Sequence, residues 1–143
     1  MKKIENFSQH RWLSNFYPAP VTFEAYTYAS VEHAYQAAKT LDDGERELFR
    51  DAQTTASIAK KLGKKVTVRA DWDMVRLGTM EDLVWQKFST HPDLAEKLLS
   101  TGDAEIEEGN WWNDRFWGVC KGVGENNLGK ILMRVRLRLA QSQ

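Results

Sequence analysis

Leu128, Ile131, Leu132, Val135 and Leu139 stand at offsets 0, +3, +4, +7 and +11, an apolar stripe along one face of a helix. Lys130, Arg134, Arg136 and Arg138 fall mostly on its other faces. A second helix is predicted from Ser30 to about Thr40: Ser30 suits an N-cap, and Ala34, Ala37 and Ala38 favour helix. Val31, Tyr35 and the alanines leave this helix largely apolar, so it is expected to be buried. Asp42-Asp43-Gly44 ends it, and Glu45 to Asp51 reads as one or two further helical turns. Thr54 or Thr55 caps a helix to Leu62, with Gly63 as its stop. Asp71 or Asp73 opens a longer helix to about Ser89, with Gly78 as a point of bending, and Pro92 opens another to about Ser100.

Strand patterns are fewer. Ile4 to Phe7 is one, and Val21 to Tyr28 alternates Val21, Phe23 and Ala25 against Thr22, Glu24 and Tyr26. Ala104 to Glu108 and Phe116 to Cys120 read as a hairpin or as two edge strands. Arg11 to Pro20 is a loop, because Pro18 and Pro20 suit neither a helix nor a central strand. No repeat, low-complexity tract or linker interrupts the chain. The expectation is one α+β domain over residues 1–143, mostly helical with a few short strands.

Charge and composition narrow the function classes. Lys plus Arg equals Asp plus Glu at 20 each, so bulk attraction to nucleic acid or to anionic membrane is not expected. The single Cys120 excludes an intramolecular disulfide and suits a reducing compartment. The start, Met1 to Asn6, lacks the apolar centre of a signal peptide, and no apolar run reaches membrane-spanning length, so a cytoplasmic protein is expected. Six Trp, six Phe and four Tyr are enough to fill a core and also to line a pocket for a flat ring.

Three segments carry candidate chemistry. Glu32, Gln36 and Lys39 lie at i, i+4 and i+7, on one face of the predicted helix. A carboxylate, an amide and an amine in one stripe suit proton transfer, orientation and nucleophilic attack; the same stripe also fits an ion pair on a half-buried helix. The loop Leu13-Ser14-Asn15-Phe16-Tyr17-Pro18 sets a hydroxyl and an amide beside two rings. It suits reading a base or sugar edge while a ring stacks on its face. It equally suits a turn in which Ser14 and Asn15 bond their own backbone and the rings reach the core. In Asn110-Trp111-Trp112-Asn113-Asp114-Arg115-Phe116-Trp117-Gly118, Asp114 is a candidate second acid, with Trp112 or Trp117 as a stacking wall. The plainer reading caps a turn with Asp114 and buries the tryptophans.

The remaining signals are weaker. The glycine-bearing stretch from Gly118 to Asn127 lacks both phosphate-loop spacings, and Asn126 or Asn127 reads as a plain N-cap. His10, His33, His91 and Cys120 have no metal-ligand spacing, so no metal and no cofactor are expected.

Taken together, the motifs at 13–18 and 31–39, Asp71-Trp72 before a helix, Asn113 to Gly118, and Asn127 to Met133 resemble the YbiA-like or NADAR family, in the same order and over nearly the whole chain. The resemblance implies an N-glycosidase that cleaves the bond between a ribose anomeric carbon and a nitrogen. One branch of the family acts on early riboflavin-pathway aminopyrimidine phosphates; another removes ADP-ribose from guanine bases of nucleic acid and so reverses a toxin's modification. The family's acid, lysine, tryptophan and second acid carry over to Glu32, Lys39, Trp72 and Asp114. Ser14, Asn15, Phe16, Tyr17, Gln36, Trp112, Asn113, Trp117 and Gly118 are the expected binding residues around them. The pair Trp111-Trp112 tilts the reading toward ADP-ribosylated guanine, with the small ribosyl phosphate as the alternative and functional pairing with an ADP-ribosylating toxin as a corollary. A non-catalytic ADP-ribose-binding module is the rival from another class. Two acids gain such a module little.

Overall fold

The computed structural model describes residues 2–142. The chain divides into two compact units, one of residues 1–14 with 88–143 and one of residues 15–87. The expected α+β composition holds, with six α-helices and six short strands among the described residues.

The unit of residues 15–87 is built around α1 (Val31–Ala38), in which every residue is buried. The β2–β3 hairpin, α2 (Asp43–Leu48) and α3 (Ala56–Leu62) all lie against α1. Ala34, Ala37 and Ala38 are fully buried, and such small side chains let neighbouring backbones come close. Ser30 caps α1 as expected, its Oγ accepting from the His33 N–H at 3.3 Å. The His33 ring is held at both nitrogens, by the Ser30 hydroxyl at 2.7 Å and the Thr54 carbonyl at 2.6 Å, so its work is structural.

Two expectations change here. Residues 21–28 are not one strand: β2 (Val21–Phe23) turns back on β3 (Tyr26–Tyr28), with Phe23 opposite Tyr26 and Val21 opposite Tyr28. Glu24 and Ala25 make the turn at φ of 44° and 77°, the left-handed geometry of a two-residue hairpin loop without its usual Gly, Asn or Asp. Gly44 does not break a helix but lies inside α2, which Asp42 caps by accepting from the Glu45 N–H at 3.0 Å. The long helix α4 (Trp72–Thr90) begins in this unit and is continuous through Gly78.

In the other unit, β1 (Lys3–Ile4) pairs in parallel with β4 (Glu105–Ile106). β5 (Gly109–Asn110) pairs in parallel with β6 (Val119–Cys120). The two late strands therefore do not form a hairpin with each other, and Phe116 and Trp117 precede β6 instead of belonging to it. α5 (Pro92–Ser100) starts at its proline as expected and packs with α6 (Asn127–Gln141), which also covers β4. The apolar stripe of α6 from Leu128 to Leu139 is buried. Asn126 precedes α6 in the left-handed region and makes no cap bond; its side chain instead accepts from the Glu108 N–H at 3.0 Å and donates to the Ile106 carbonyl at 2.9 Å.

Candidate active site

The stripe on α1 is real and mostly buried. Glu32 is 7% exposed and Gln36 5%. The Gln36 amide donates from Nε2 to Glu32 Oε2 at 2.7 Å, so one residue orients the carboxylate of the other across a single helical turn. From the loop before the helix, the Asn15 carbonyl accepts from the Glu32 N–H at 3.1 Å, while the Asn15 amide reaches Met80 Sδ at 3.4 Å. Asn15 thus joins the 13–18 motif to the start of α1. Phe16 is 37% exposed and Tyr17 half-buried.

Lys39 follows α1 as its C-cap, and its carbonyl accepts from the Arg69 N–H at 2.7 Å. Its ammonium lies 5.9 Å from the centroid of the Tyr35 ring, and Tyr35 meets Trp72 at 5.1 Å in a tilted ring pair. Burial lowers the Lys39 pKa; the Glu32 carboxylate opposes that shift, while the cations Lys64 and Arg76 reinforce it. Sequence does not rank these influences. In the folded protein desolvation is the largest, and the amine is shifted toward its neutral, nucleophilic form. Trp72 is 7% exposed, so it is a packed residue of this unit as well as a neighbour of Tyr35.

A second amine is not marked by the sequence pattern. Lys87, on α4, is 1% exposed, sits 5.7 Å from the centroid of the Tyr17 ring, and is pushed down to about 7 by desolvation. No local pattern marks it, because a lysine on an amphipathic helix ordinarily points to solvent. Tyr35, expected as one of the apolar residues of α1, also contacts Lys39 and Trp72.

Asp114 belongs to the unit of residues 1–14 and 88–143, in a tightly bonded loop. Its Oδ1 accepts from the N–H groups of Phe116 at 3.1 Å and Trp117 at 2.9 Å. Asn110 bonds its backbone on both sides, donating to the Asp114 carbonyl at 2.8 Å and accepting from the Asp114 N–H at 3.0 Å. The carbonyls of Arg115, Phe116, Trp117 and Gly118 accept from the N–H groups of Glu125, Asn127, Leu128 and Asn126. The N–H groups leading into α6 are thereby used on this loop, which explains them without a bound phosphate. The turn-capping reading of Asp114 is thus present in the geometry; its Oδ1 does that work.

Around Asp114, Asn113 is exposed at φ 66°, and Trp117 meets Phe116 edge-on at 4.8 Å. Gly118 is buried where a Cβ would fall 2.1 Å from the Glu108 carbonyl oxygen, so close packing accounts for that glycine. Trp111 and Trp112, 85% and 45% exposed, form an edge-to-face pair at 5.5 Å. Ser14, half-buried, closes the turn Arg11–Leu13 with its N–H on the Arg11 carbonyl at 2.9 Å. Cys120 is buried and free, and no cluster of three metal-ligating side chains occurs among the described residues. No helix among them is long and apolar enough to cross a membrane.

A small α+β protein with a buried carboxylate–amide pair, a desolvated lysine at the C-cap of the same helix and rings beside it has the parts of an enzyme that breaks a bond to a sugar. The NADAR domain profile matches residues 3–140, and the chain belongs to the NADAR family. It is 40% identical to N-glycosidase Npun_R5314 of Nostoc punctiforme, over 86% of this chain and 81% of that protein. It is 38% identical to riboflavin biosynthesis protein VVA0006 of Vibrio vulnificus over 92% of this chain, which spans only 36% of that longer protein. The NMR structure of Escherichia coli YbiA superposes with a TM-score of 0.86 at 32% identity, covering 99% of this chain and 88% of that one. Membership places the chain among enzymes that hydrolyse N-glycosyl bonds.

Proposed function

We propose that this N-glycosidase releases ADP-ribose from guanine bases of nucleic acid, with Glu32 and Lys39 as its reacting groups. The observation that carries the chemistry is a pairing along α1 and its C-cap: a buried carboxylate oriented by an amide, and an amine moved by burial toward neutrality. When the sugar ring of an N-riboside opens, its anomeric carbon becomes an iminium. A neutral Lys39 amine adds to that carbon, and the base nitrogen leaves with a proton. Water then adds to the protein-bound iminium, freeing the amine and the sugar aldehyde. Glu32 serves the proton movements, and such help is worth roughly 10²–10⁴-fold in rate. Asp114 enters through its motif as a second acid, with no geometric argument beyond its loop.

The choice of nucleic acid rests on Trp111 and Trp112, two exposed rings that suit stacking on unpaired bases. The second reading, a riboflavin-pathway aminopyrimidine ribosylamino phosphate, is favoured by the likeness to the Vibrio vulnificus riboflavin biosynthesis protein.

Incubation with an oligonucleotide carrying ADP-ribosyl-guanine and, separately, with the aminopyrimidine ribosylamino phosphate tests the choice. Free ADP-ribose and restored guanine are the expected products. Turnover of the aminopyrimidine compound alone assigns the other branch. Binding of ADP-ribose with no product from either substrate overturns catalysis in favour of a binding module.

A further inference from the structure

Gly63 follows α3 at φ −59° and ψ −18°, ordinary right-handed helical geometry. The conformational reason for glycine at a helix end, a left-handed residue, is therefore absent. Its surroundings supply another. A Cβ built on Gly63 would lie 1.8 Å from Gln36 Oε1 and 2.6 Å from Gln36 Cδ, so the Gln36 amide occupies the space a side chain would need. That amide faces two ways. Nε2 donates to Glu32, which fixes its orientation, because the reversed amide would set Oε1 against a carboxylate. Oε1 is buried with no hydrogen-bond partner among the described residues. A buried amide is held with half of its capacity unmet, pressed onto a residue that has no side chain.

We propose that Gly63 is a positioning residue for the reaction: its missing side chain forms the slot that seats the Gln36 amide and thereby aims the Glu32 carboxylate. The proposal rests on Glu32 as a reacting group. A methyl at Gly63 evicts the amide, because its far end must move by more than an ångström to restore an ordinary contact. Glu32 then loses the donor on Oε2. Hydrogen bonds to charged groups are among the stronger ones, and loss of this one corresponds to roughly a 10- to 100-fold fall in kcat/KM. No helical strain accompanies the change, since alanine adopts this backbone freely.

The test is a cycle of Gly63→Ala and Gln36→Ala, read by kcat/KM and by the side-chain amide resonances of Gln36. Gly63→Ala alone is expected to lower kcat/KM and move those resonances toward the values of a solvent-exposed glutamine. In the Gln36→Ala background the same methyl has room, and it is expected to cause no further loss of rate or melting temperature. If Gly63→Ala alone does not fold, the double variant still folds on this argument. Equal losses in both backgrounds, a double variant that also fails to fold, or Gln36 resonances unmoved by Gly63→Ala overturn the proposal. The resonances report the amide and not the reaction. They therefore decide the matter even if Glu32 proves to have no part in catalysis.

Discussion

Lys39 and Lys87 are both shifted down by desolvation, yet only Lys39 follows the carboxylate–amide stripe of α1. Borohydride added during turnover should therefore trap the sugar on the peptide containing Lys39 and not on that containing Lys87, which is 1% exposed. Trapping on neither, in an enzyme that still turns over, removes the covalent step. Because the reacting form is the neutral amine, the rate should rise with pH through the Lys39 pKa. Removing the nearby cation with Lys64→Gln takes away one lowering influence and should move that rise to higher pH; an unmoved profile assigns it to another group. Lys87 makes the complementary case for stability. Its folded value of about 7 lies below the ordinary 10.5, so between these pH values the unfolded chain holds more protons and stability climbs with pH. The slope is up to about 1.4 kcal/mol per pH unit. The penalty is complete below pH 7 and gone above 10.5. Lys87→Met should flatten the rise, as denaturant melts at pH 7 and 9 would show. For Asp114, an asparagine keeps the oxygen that accepts from Phe116 and Trp117 but loses the charge. Activity that survives Asp114→Asn and falls in Asp114→Ala makes this residue a loop support and not an acid.

At the level of elements, most helices were legible because caps and periodicity agree: Ser30, Thr55 and Pro92 stand where helices begin, whereas Asp42 reads as a breaker and is in fact the cap of α2. The β2–β3 hairpin was hidden because its turn residues are Glu and Ala, and alternation runs unbroken across them. The structure shows what retains the glutamate: Arg46 donates to Glu24 Oε1 at 2.5 Å and lies 5.1 Å from the centroid of the Phe23 ring. Ala25, with only a methyl side chain, is held at φ 77° by no comparable side-chain bond among the described residues. A left-handed L-residue carries roughly 1–2 kcal/mol of steric cost, part of which a glycine returns as unfolded-state entropy. Ala25→Gly should accordingly stabilise the protein by up to about 1 kcal/mol in chemical denaturation. A loss of stability instead would show that the methyl group packs productively.

For the whole molecule, the same division explains what the sequence disclosed of the site. Glu32, Gln36 and Lys39 were readable as one stripe because a helix converts spacing into a face. Gly63 and Lys87 were not, since their importance comes from contacts made across the fold, with Gln36 and Tyr17. The parallel pairings of β1 with β4 and of β5 with β6 were equally out of reach, two-residue strands being too short to show a period. Balanced charge, 20 cationic against 20 acidic side chains, has a consequence for the substrate. Each phosphate neutralised on a single strand adds about −0.7 to the slope of log affinity against log salt. A chain without excess cations should show a shallow slope, so recognition of an oligonucleotide must lean on stacking. Trp111 and Trp112 are two exposed rings of the kind that stacking uses. Loss of a base–aromatic stack costs ~1–3 kcal/mol. The double change Trp111→Ala/Trp112→Ala should then weaken an ADP-ribosylated oligonucleotide by roughly 5- to 150-fold or more. Because the rings are exposed, the melting temperature should hold, and an ADP-ribosylated mononucleoside, with no neighbouring base to stack, should be cleaved as before. Equal loss on both substrates would mean that the tryptophans contact the ADP-ribosyl group itself. No loss on either would remove them from recognition and with them the present reason for preferring nucleic acid.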